Sequence, residues 1–503
     1  MIYTNIEELL SYALSNKLID KEDEVCTRNG LLELLGLPDN NNTPRYGGPV
    51  PQDPSEILAD ISFYAAENGL LKADTATYRE IFETRVMSVL TDKPSVVAKR
   101  FAEISKKSGI KKATDDFYKY CQKIYYIKTD RVAKNITWKA DTDFGKLDMT
   151  INLSKPEKDP KEIALQGMQP VRENVYPKCL LCVENQGYAG HLNHPARQNL
   201  RLIPLKLNGK KWYFQYSPYV YYNEHSIVLA EQHKPMKITK DTFTVLLDFV
   251  EQFPHYFIGS NADLPIVGGS ILSHDHYQAG RYVFPMEKAK SVKSFKVKKF
   301  PKVTFDIVRW PLSVLRLRGK KDDVAKAAAH VHNVWRQYDD ESVEILHATG
   351  EEQHNTVTPI ARFKDGKYEM DIVLRNNRTT AQHPWGIFHS RPDCHNIKRE
   401  NIGLIEALGM AILPGRLKNE MLQIGELIAK GEIEKIKDLS SLAQHYNWVK
   451  SFINEYEGYK PEDVGDILLE EIGQTFEKVL LTCGVFKHDE KGKDAFLRFI
   501  YKL

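Results

Sequence analysis

The chain has no run of apolar residues close to the roughly twenty that span a bilayer, which excludes an integral helical membrane protein. It is poor in cysteine. Six in 503 residues are too sparse for a disulfide scaffold and point to a reducing compartment. It also has almost no net charge. Seventy Lys plus Arg against sixty-seven Asp plus Glu leave +3, so coating nucleic acid or an anionic membrane is not its design. There is no Walker A loop, no dinucleotide fingerprint after a strand and no Gly-x-Ser-x-Gly elbow. ATP-driven, NAD-linked and serine-hydrolase chemistries therefore lack their usual signals. The first residues, MIYTNIEELLSYAL, carry acids where a secretory signal needs a basic segment. These absences predict a soluble cytoplasmic protein without a nucleic-acid or membrane partner.

What is present is an ordinary globular composition, long enough for two or three domains. Residues 1–125 read as helical, with Ile6, Leu9, Leu10 and Ala13 at helical spacing and Ile57, Ile61, Tyr64 and Ala65 likewise. A loop rich in Pro, Asn and Gly, Leu37 to Glu56, separates those helices. The texture then changes. Leu147, Met149, Ile151 and Leu153 alternate with polar residues, the period of a half-buried strand. WYFQYSPYVYYNEHSIVLAEQH predicts two strands, TKDTFTVLLDFVEQF a helix capped by Thr239, and SILSHDHYQAGRYVF another strand. Strand-rich segments follow (FKVKKFPKVTFDIVRW and YEMDIVLRNN), and helical periodicity returns from Ile402.

Three local patterns carry chemistry. In Ser273-His274-Asp275-His276-Tyr277-Gln278, a strand would place His274, His276 and Gln278 on one face. His-x-His-x-Gln is expected by chance only about 0.02 times in such a chain. Gly268 and Gly269 just before it would let backbone approach a ligand. The competing view is of two strand histidines with satisfied hydrogen bonds. Cys179-Leu180-Leu181-Cys182 offers two thiolates to one zinc, but a tetrahedral site needs two more ligands, for which His233 and His274 are candidates. A redox dithiol or two buried thiols remain as alternatives. Between Lys288 and Lys321 there are twelve Lys or Arg and one acid, Asp306. The plain reading is the solvated face of strands; a phosphate-rich ligand is the other.

Together these residues resemble the histidine-triad superfamily, and within it the galactose-1-phosphate uridylyltransferase family, where Gln replaces the last His of the triad, as Gln278 does. The strings INLSKPEKDP, CLLCVENQGYAGHLNHPARQN, GGSILSHDHYQAGR, HNTVTPIAR, VLRNNRTT and NIGLIEALGMAILPGRL are similar to the second, longer bacterial class of that family. The resemblance implies an α+β fold: a duplicated histidine-triad-like antiparallel sheet core with an N-terminal helical region and C-terminal helices. Its expected divisions are 1–125, 126–290 with the catalytic motif, 291–415 and 416–503. It further implies a homodimer that carries out ping-pong exchange of UMP between UDP-glucose and galactose 1-phosphate, in galactose metabolism. No nucleotide cofactor beyond the UDP-sugar is expected.

By the same resemblance His276 is the nucleophile that holds UMP as a phosphoramidate, and Gln278 donates to an α-phosphoryl oxygen. A Gln cannot act as a general acid, which favours transfer between phosphates over hydrolysis. Substrate contacts are expected at Lys155, Lys158, Asn199, Asn261, Gly269, Ser273 and Arg281, and at His354, Asn355, Arg375, Asn377 and Arg378 in the second half. A structural zinc is implied on Cys179, Cys182, His233 and His274, with His225 a rival to His233, and His383 and His389 as remnants of a second metal site. Two rival functions stand beside this one: a dinucleoside-polyphosphate phosphorylase or nucleotidyl hydrolase on the same fold, and a non-catalytic zinc-stabilised binding protein.

Overall fold

The computed structural model describes residues 1–154, 176–456 and 458–503. Lys155 and Lys158 lie outside the described residues. The main elements are helices α1 (Ile2–Ser15), α2 (Glu24–Leu34), α3 (Ser55–Glu67), α4 (Ala76–Val89), α5 (Pro94–Ser108) and α6 (Ile110–Lys123). Strands β1 (Ile136–Thr142), β2 (Gly145–Ile151), β3 (Ile203–Leu207), β4 (Lys210–Tyr216) and β5 (Ser226–Ala230) follow, then α7 (Lys240–Gln252). After these come β6 (Phe257–Gly259), β7 (His276–Gly280), β8 (Ser291–Phe295), β9 (Thr304–Val308) and β10 (Val314–Gly319). The chain continues through α8 (Lys321–Trp335), β11 (Asn355–Lys364), β12 (Lys367–Asn376), β13 (Met410–Leu413), α9 (Leu417–Ala429), α10 (Val464–Cys483) and α11 (Glu490–Ile500). The fold is α+β.

The chain divides into two compact units, one of residues 1–134, 154–220 and 224–234, the other of 135–153, 221–223 and 235–503. In the first, the helical N-terminal region forms as its periodicity predicts. Ile6, Leu9, Leu10 and Ala13 are buried, and so are Ile57 and Ile61. Helix α4 starts where the Thr75 hydroxyl accepts the Tyr78 N–H, and α5 starts on Pro94, whose missing N–H costs nothing at a helix N-terminus. The antiparallel meander β3–β4–β5 joins them in this unit. Phe117 of α6 packs its ring 5.3 Å from that of Tyr216 on β4, and the Tyr216 hydroxyl donates to the Thr114 carbonyl.

In the second unit the strands run antiparallel in the order β7, β6, β11, β12, β10, β9, β8, with β8 at the outer edge. Helices α7 and α8 pack on each other and on this sheet. Helix α7 opens on the expected Thr239 in a reciprocal capping box with Thr242. A smaller sheet pairs β1 with β2, and β13 adds to β2 in parallel. Burial on both sides corrects the half-buried reading of β2. Asp148 and Thr150 are buried along with Leu147, Met149 and Ile151, and the Asp148 carboxylate is held by Lys139 and the Tyr282 hydroxyl. Both faces of the strand are covered, so alternation of residue type does not here mean alternation of exposure.

Charges are buried on β10, β11 and β12. Arg316 and Arg362 both reach Asp371, each at 2.6 Å, and Arg362 also holds Glu369. Asp371 is fully buried. Burial opposes its charge, but the two guanidiniums outweigh that and hold its carboxyl below the usual range.

Candidate active site and metal cluster

The histidine motif does not lie wholly on a strand. Strand β7 begins at His276, so His276 and Gln278 share a face as alternation requires, while Ser273, His274 and Asp275 belong to the irregular segment before it. His276 is buried, and its Nδ1 lies 2.8 Å from the His274 carbonyl oxygen. A carbonyl only accepts, so Nδ1 carries the hydrogen and Nε2 keeps its lone pair. Burial is the largest influence on this imidazole and pulls it down to about 4, so the ring is neutral at ordinary pH. An imidazole held in this one tautomer, with Nε2 unprotonated, is able to act as a nucleophile. Two residues on, the Gln278 Oε1 is buried without a hydrogen-bond partner.

The glycine pair serves packing within the chain. A Cβ on Gly268 would lie 2.6 Å from the carbonyl oxygens of Ala262 and Leu264, and one on Gly269 would lie 2.8 Å from Asn261 Nδ2. Asn261 also accepts the Leu404 N–H through Oδ1 at 2.8 Å, so its amide bridges two segments of the second unit. Ser273 is exposed, and Arg281 accepts Asn223 Nδ2 at its carbonyl. Asn199 is buried in the first unit, where its amide donates to the Ile124 carbonyl.

The second-half residues gather at the ends of β11 and β12. His354 has Asn377 Oδ1 2.9 Å from Nδ1 and Thr349 Oγ1 2.8 Å from Nε2. Asn355 spends both amide hydrogens on the Trp335 and Tyr338 carbonyls and accepts Asn376 Nδ2, leaving little for a ligand. Arg378 donates to the Glu344 carbonyl. Arg375 differs from all of these. The residue is 1% exposed, Nη2 donates to the Ile402 carbonyl, and Nε and Nη1 are buried with no partner. A buried cation with unfilled donors is costly unless something anionic or polar completes it.

Cys179, Cys182, His233 and His274 form a group whose ligand atoms all lie within 4.8 Å of one another. The two sulfurs are 3.6 Å apart and Cys182 Sγ is 3.1 Å from His233 Nδ1. Ligands at ordinary zinc distances on a tetrahedron are separated by about 3.3–3.8 Å, so the donor set and its spacing fit that ion. His225 is not in the group; its Nδ1 hydrogen is given to the Tyr219 carbonyl at 2.7 Å. His389 is buried against Asn401 and Ser390, and the His383 N–H donates to the Thr380 carbonyl.

The sequence reading missed the residue that shapes the cysteine turn. Asn185 donates from Nδ2 to the carbonyls of both Cys179 and Cys182, at 2.8 and 2.9 Å, and its Oδ1 lies 2.6 Å from His194 Nε2. The signal was available as an Asn three residues beyond the second cysteine.

Two family models cover most of the chain. The model described as galactose-1-phosphate uridyl transferase, N-terminal domain, matches residues 19–235, and its C-terminal domain counterpart matches residues 249–450. The fold and these matches define a nucleotidyltransferase. Curated relatives named galactose-1-phosphate uridylyltransferase agree over full length. The one from Fusobacterium nucleatum is 51% identical over 98% of this chain and 97% of its own. Those from Caldanaerobacter subterraneus and Bacillus subtilis are each 48% identical, over 99% and 100% of this chain and 97% and 98% of theirs. The chain belongs to the galactose-1-phosphate uridylyltransferase family.

Proposed function

We propose that this protein moves a uridylyl group from UDP-glucose to galactose 1-phosphate through a covalent uridylyl-His276 intermediate. His276 Nε2 attacks the α-phosphorus; an N–P bond forms, and the P–O bond to glucose 1-phosphate breaks, its electron pair leaving with the sugar phosphate. A phosphate oxygen of galactose 1-phosphate then attacks the same phosphorus, and the P–N bond breaks to restore neutral imidazole. The single observation that carries this reading is the His276 tautomer, fixed by Nδ1 on the His274 carbonyl with Nε2 left as the lone-pair nitrogen. Each leaving group is a phosphate of low pKa, so no general acid is required, which accords with Gln278 where a third histidine would stand. Gln278 would turn its amide N–H toward a non-bridging oxygen as charge builds there.

Arg375, with two unfilled donor nitrogens, is the best-supported contact for an acceptor phosphate in the second half. Cys179, Cys182, His233 and His274 would hold a structural zinc. The metal would supply a rigid anchor, and His274 would pass that rigidity to the carbonyl that orients His276. A homodimer is what the family resemblance suggests; a cytoplasmic location is in keeping with six cysteines free of disulfides.

The test is partial exchange. With UDP-glucose and labelled glucose 1-phosphate alone, a ping-pong enzyme returns label to UDP-glucose in the absence of galactose 1-phosphate. An exchange that requires both sugar phosphates would contradict the covalent route.

A further inference from the structure

The basic stretch from Lys288 to Lys321 is not uniform. Its C-terminal part turns inward: Arg316 is engaged by Asp371, Arg318 by Asp306 and Glu369, and Lys321 by Asp248 and Glu251. Its N-terminal part is different. Lys293, Lys296, Lys298 and Lys299 are exposed, and among the described residues none is ion-paired with a carboxylate. Lys296 donates to the Val303 carbonyl and the Thr304 hydroxyl, and Lys299 lies over the Phe300 ring.

These four lysines rim a groove of about 590 Å³, bounded on the other side by the last turn of α11 and the residues after it. Its apolar lining includes Phe295, Val297, Leu497, Ile500 and Tyr501. Tyr501 is 83% exposed. Lysines and a bulge at Val292 on the outer strand β8 are what a sheet edge needs to discourage strand addition. Edge protection does not call for an apolar trough continuing beyond the strand, nor for an uncovered aromatic beside it.

We propose that this groove docks an acidic polypeptide segment of a partner protein, one that carries spaced carboxylates and an aliphatic or aromatic anchor. Charge complementarity selects the sign: among the described residues none of the four cations has a carboxylate within ion-pair distance, Leu503 on the opposite wall included. The form of the site selects a polypeptide over a compact phosphate. The lysines are spread along seven residues instead of converging, and no helix N-terminus lines the groove. Helix α11 presents its C-terminal turn, whose carbonyl end disfavours a concentrated anion. Carboxylates at intervals on an extended segment suit separated point charges, while the anchor covers Tyr501 and Leu497.

The experiment selects a random dodecapeptide display library against the intact protein, then measures the enriched peptides by fluorescence anisotropy. The expected result is enrichment of Asp and Glu interleaved with Leu, Phe or Trp. Affinity should fall roughly tenfold or more in the combined variant Lys293→Glu, Lys298→Glu, Lys299→Glu, and in Tyr501→Ala, with binding weakened by salt. Uridylyl transfer and the circular dichroism spectrum should not change in either. If the triple reversal does not fold, Lys298→Ala with Lys299→Ala serves in its place. The proposal is overturned by enrichment without acidic residues, or by equal binding to the variants. It is equally overturned if only phosphatidylglycerol vesicles or oligo-dT bind and that binding is what the lysine variants lose.

Discussion

His276 rests its Nδ1 on the carbonyl oxygen of His274, 2.8 Å away, and His274 in turn belongs to the group of two thiols and two imidazoles. The residue that would take the uridylyl group is therefore oriented by the backbone of a residue whose side chain is a candidate metal ligand. The tautomer of His276 thus depends on a carbonyl two residues back in the chain.

Replacing His276 by Ala should reduce transfer by about 10³-fold or more, since removing a covalent nucleophile leaves only binding and electrostatic contributions. The midpoint of thermal unfolding should move little by comparison. Steady-state rates with both sugar phosphates, beside a melting curve, check this; a variant that retains a tenth of the activity refutes it.

Gln278→Ala should lower kcat by about 10²–10³-fold, the usual cost of losing one donor aimed at developing charge. Its buried Oε1 makes no hydrogen bond within the chain, so removing the amide should not destabilise the fold. If kcat holds and the melting temperature falls instead, Gln278 is a packing residue.

For Arg375 the expected signature is a split between stability and affinity. A methionine there removes a buried guanidinium with two unfilled nitrogens, so the protein should be as stable as before or more so. The KM for galactose 1-phosphate should rise about 10–100-fold if those nitrogens face its phosphate. Initial-rate kinetics with each sugar phosphate varied in turn, set beside a thermal melt, separates the two outcomes.

Metal analysis of the purified protein should return one zinc per chain, reduced in Cys182→Ser and after prolonged chelation. Asn185→Ala should behave as a weaker version of the same lesion. It strips the donor from two cysteine carbonyls and the partner from His194, for a loss of about 1–3 kcal/mol in stability. A protein with no bound metal whose stability ignores Cys182→Ser would remove the structural zinc from the account.

The acid limb of the stability curve has an identifiable contributor. Burial raises the Glu80 carboxyl, but Lys128 and Arg131, the latter at 2.8 Å, more than offset this and hold it at about 2 against an ordinary 4.5. The unfolded chain then takes up the proton more readily than the folded one. The stabilisation is complete above about pH 4.5 and is lost as pH falls toward 2. Glu80→Gln should therefore be less stable than the parent near neutral pH and lose less on acidification, as urea titrations across that range would show.

Much of this was legible in the residues, for reasons that differ by element. Helix α7 was set by local signals, an apolar stripe and a capping threonine, and forms between Lys240 and Gln252. The cysteine turn and both histidines of the metal group were readable as ligand types, and the structure brings them together. Other features depend on tertiary context that spacing does not carry. Strand β7 begins at His276 and not at Ser270, where the alternation would start it; the glycine backbone just ahead, at Gly268 and Gly269, packs against Ala262 and Asn261. Asp148 looks like an exposed strand residue until Lys139 and the Tyr282 hydroxyl are seen to hold its buried carboxylate. The arginines of β10 look solvated until the carboxylates of β12 face them. Asn355 looks like a ligand contact by type, yet its amide hydrogens are both taken by backbone carbonyls.

The central claim is that UMP resides on His276, and mapping the adduct tests it most directly. The protein is incubated with UDP-glucose alone, digested at neutral pH, and the peptides are sequenced by mass spectrometry. The account predicts one acid-labile uridylyl group per active chain, on the peptide containing His276, discharged by galactose 1-phosphate and absent from His276→Ala. An adduct on any other residue, or one that persists in that variant, would contradict it.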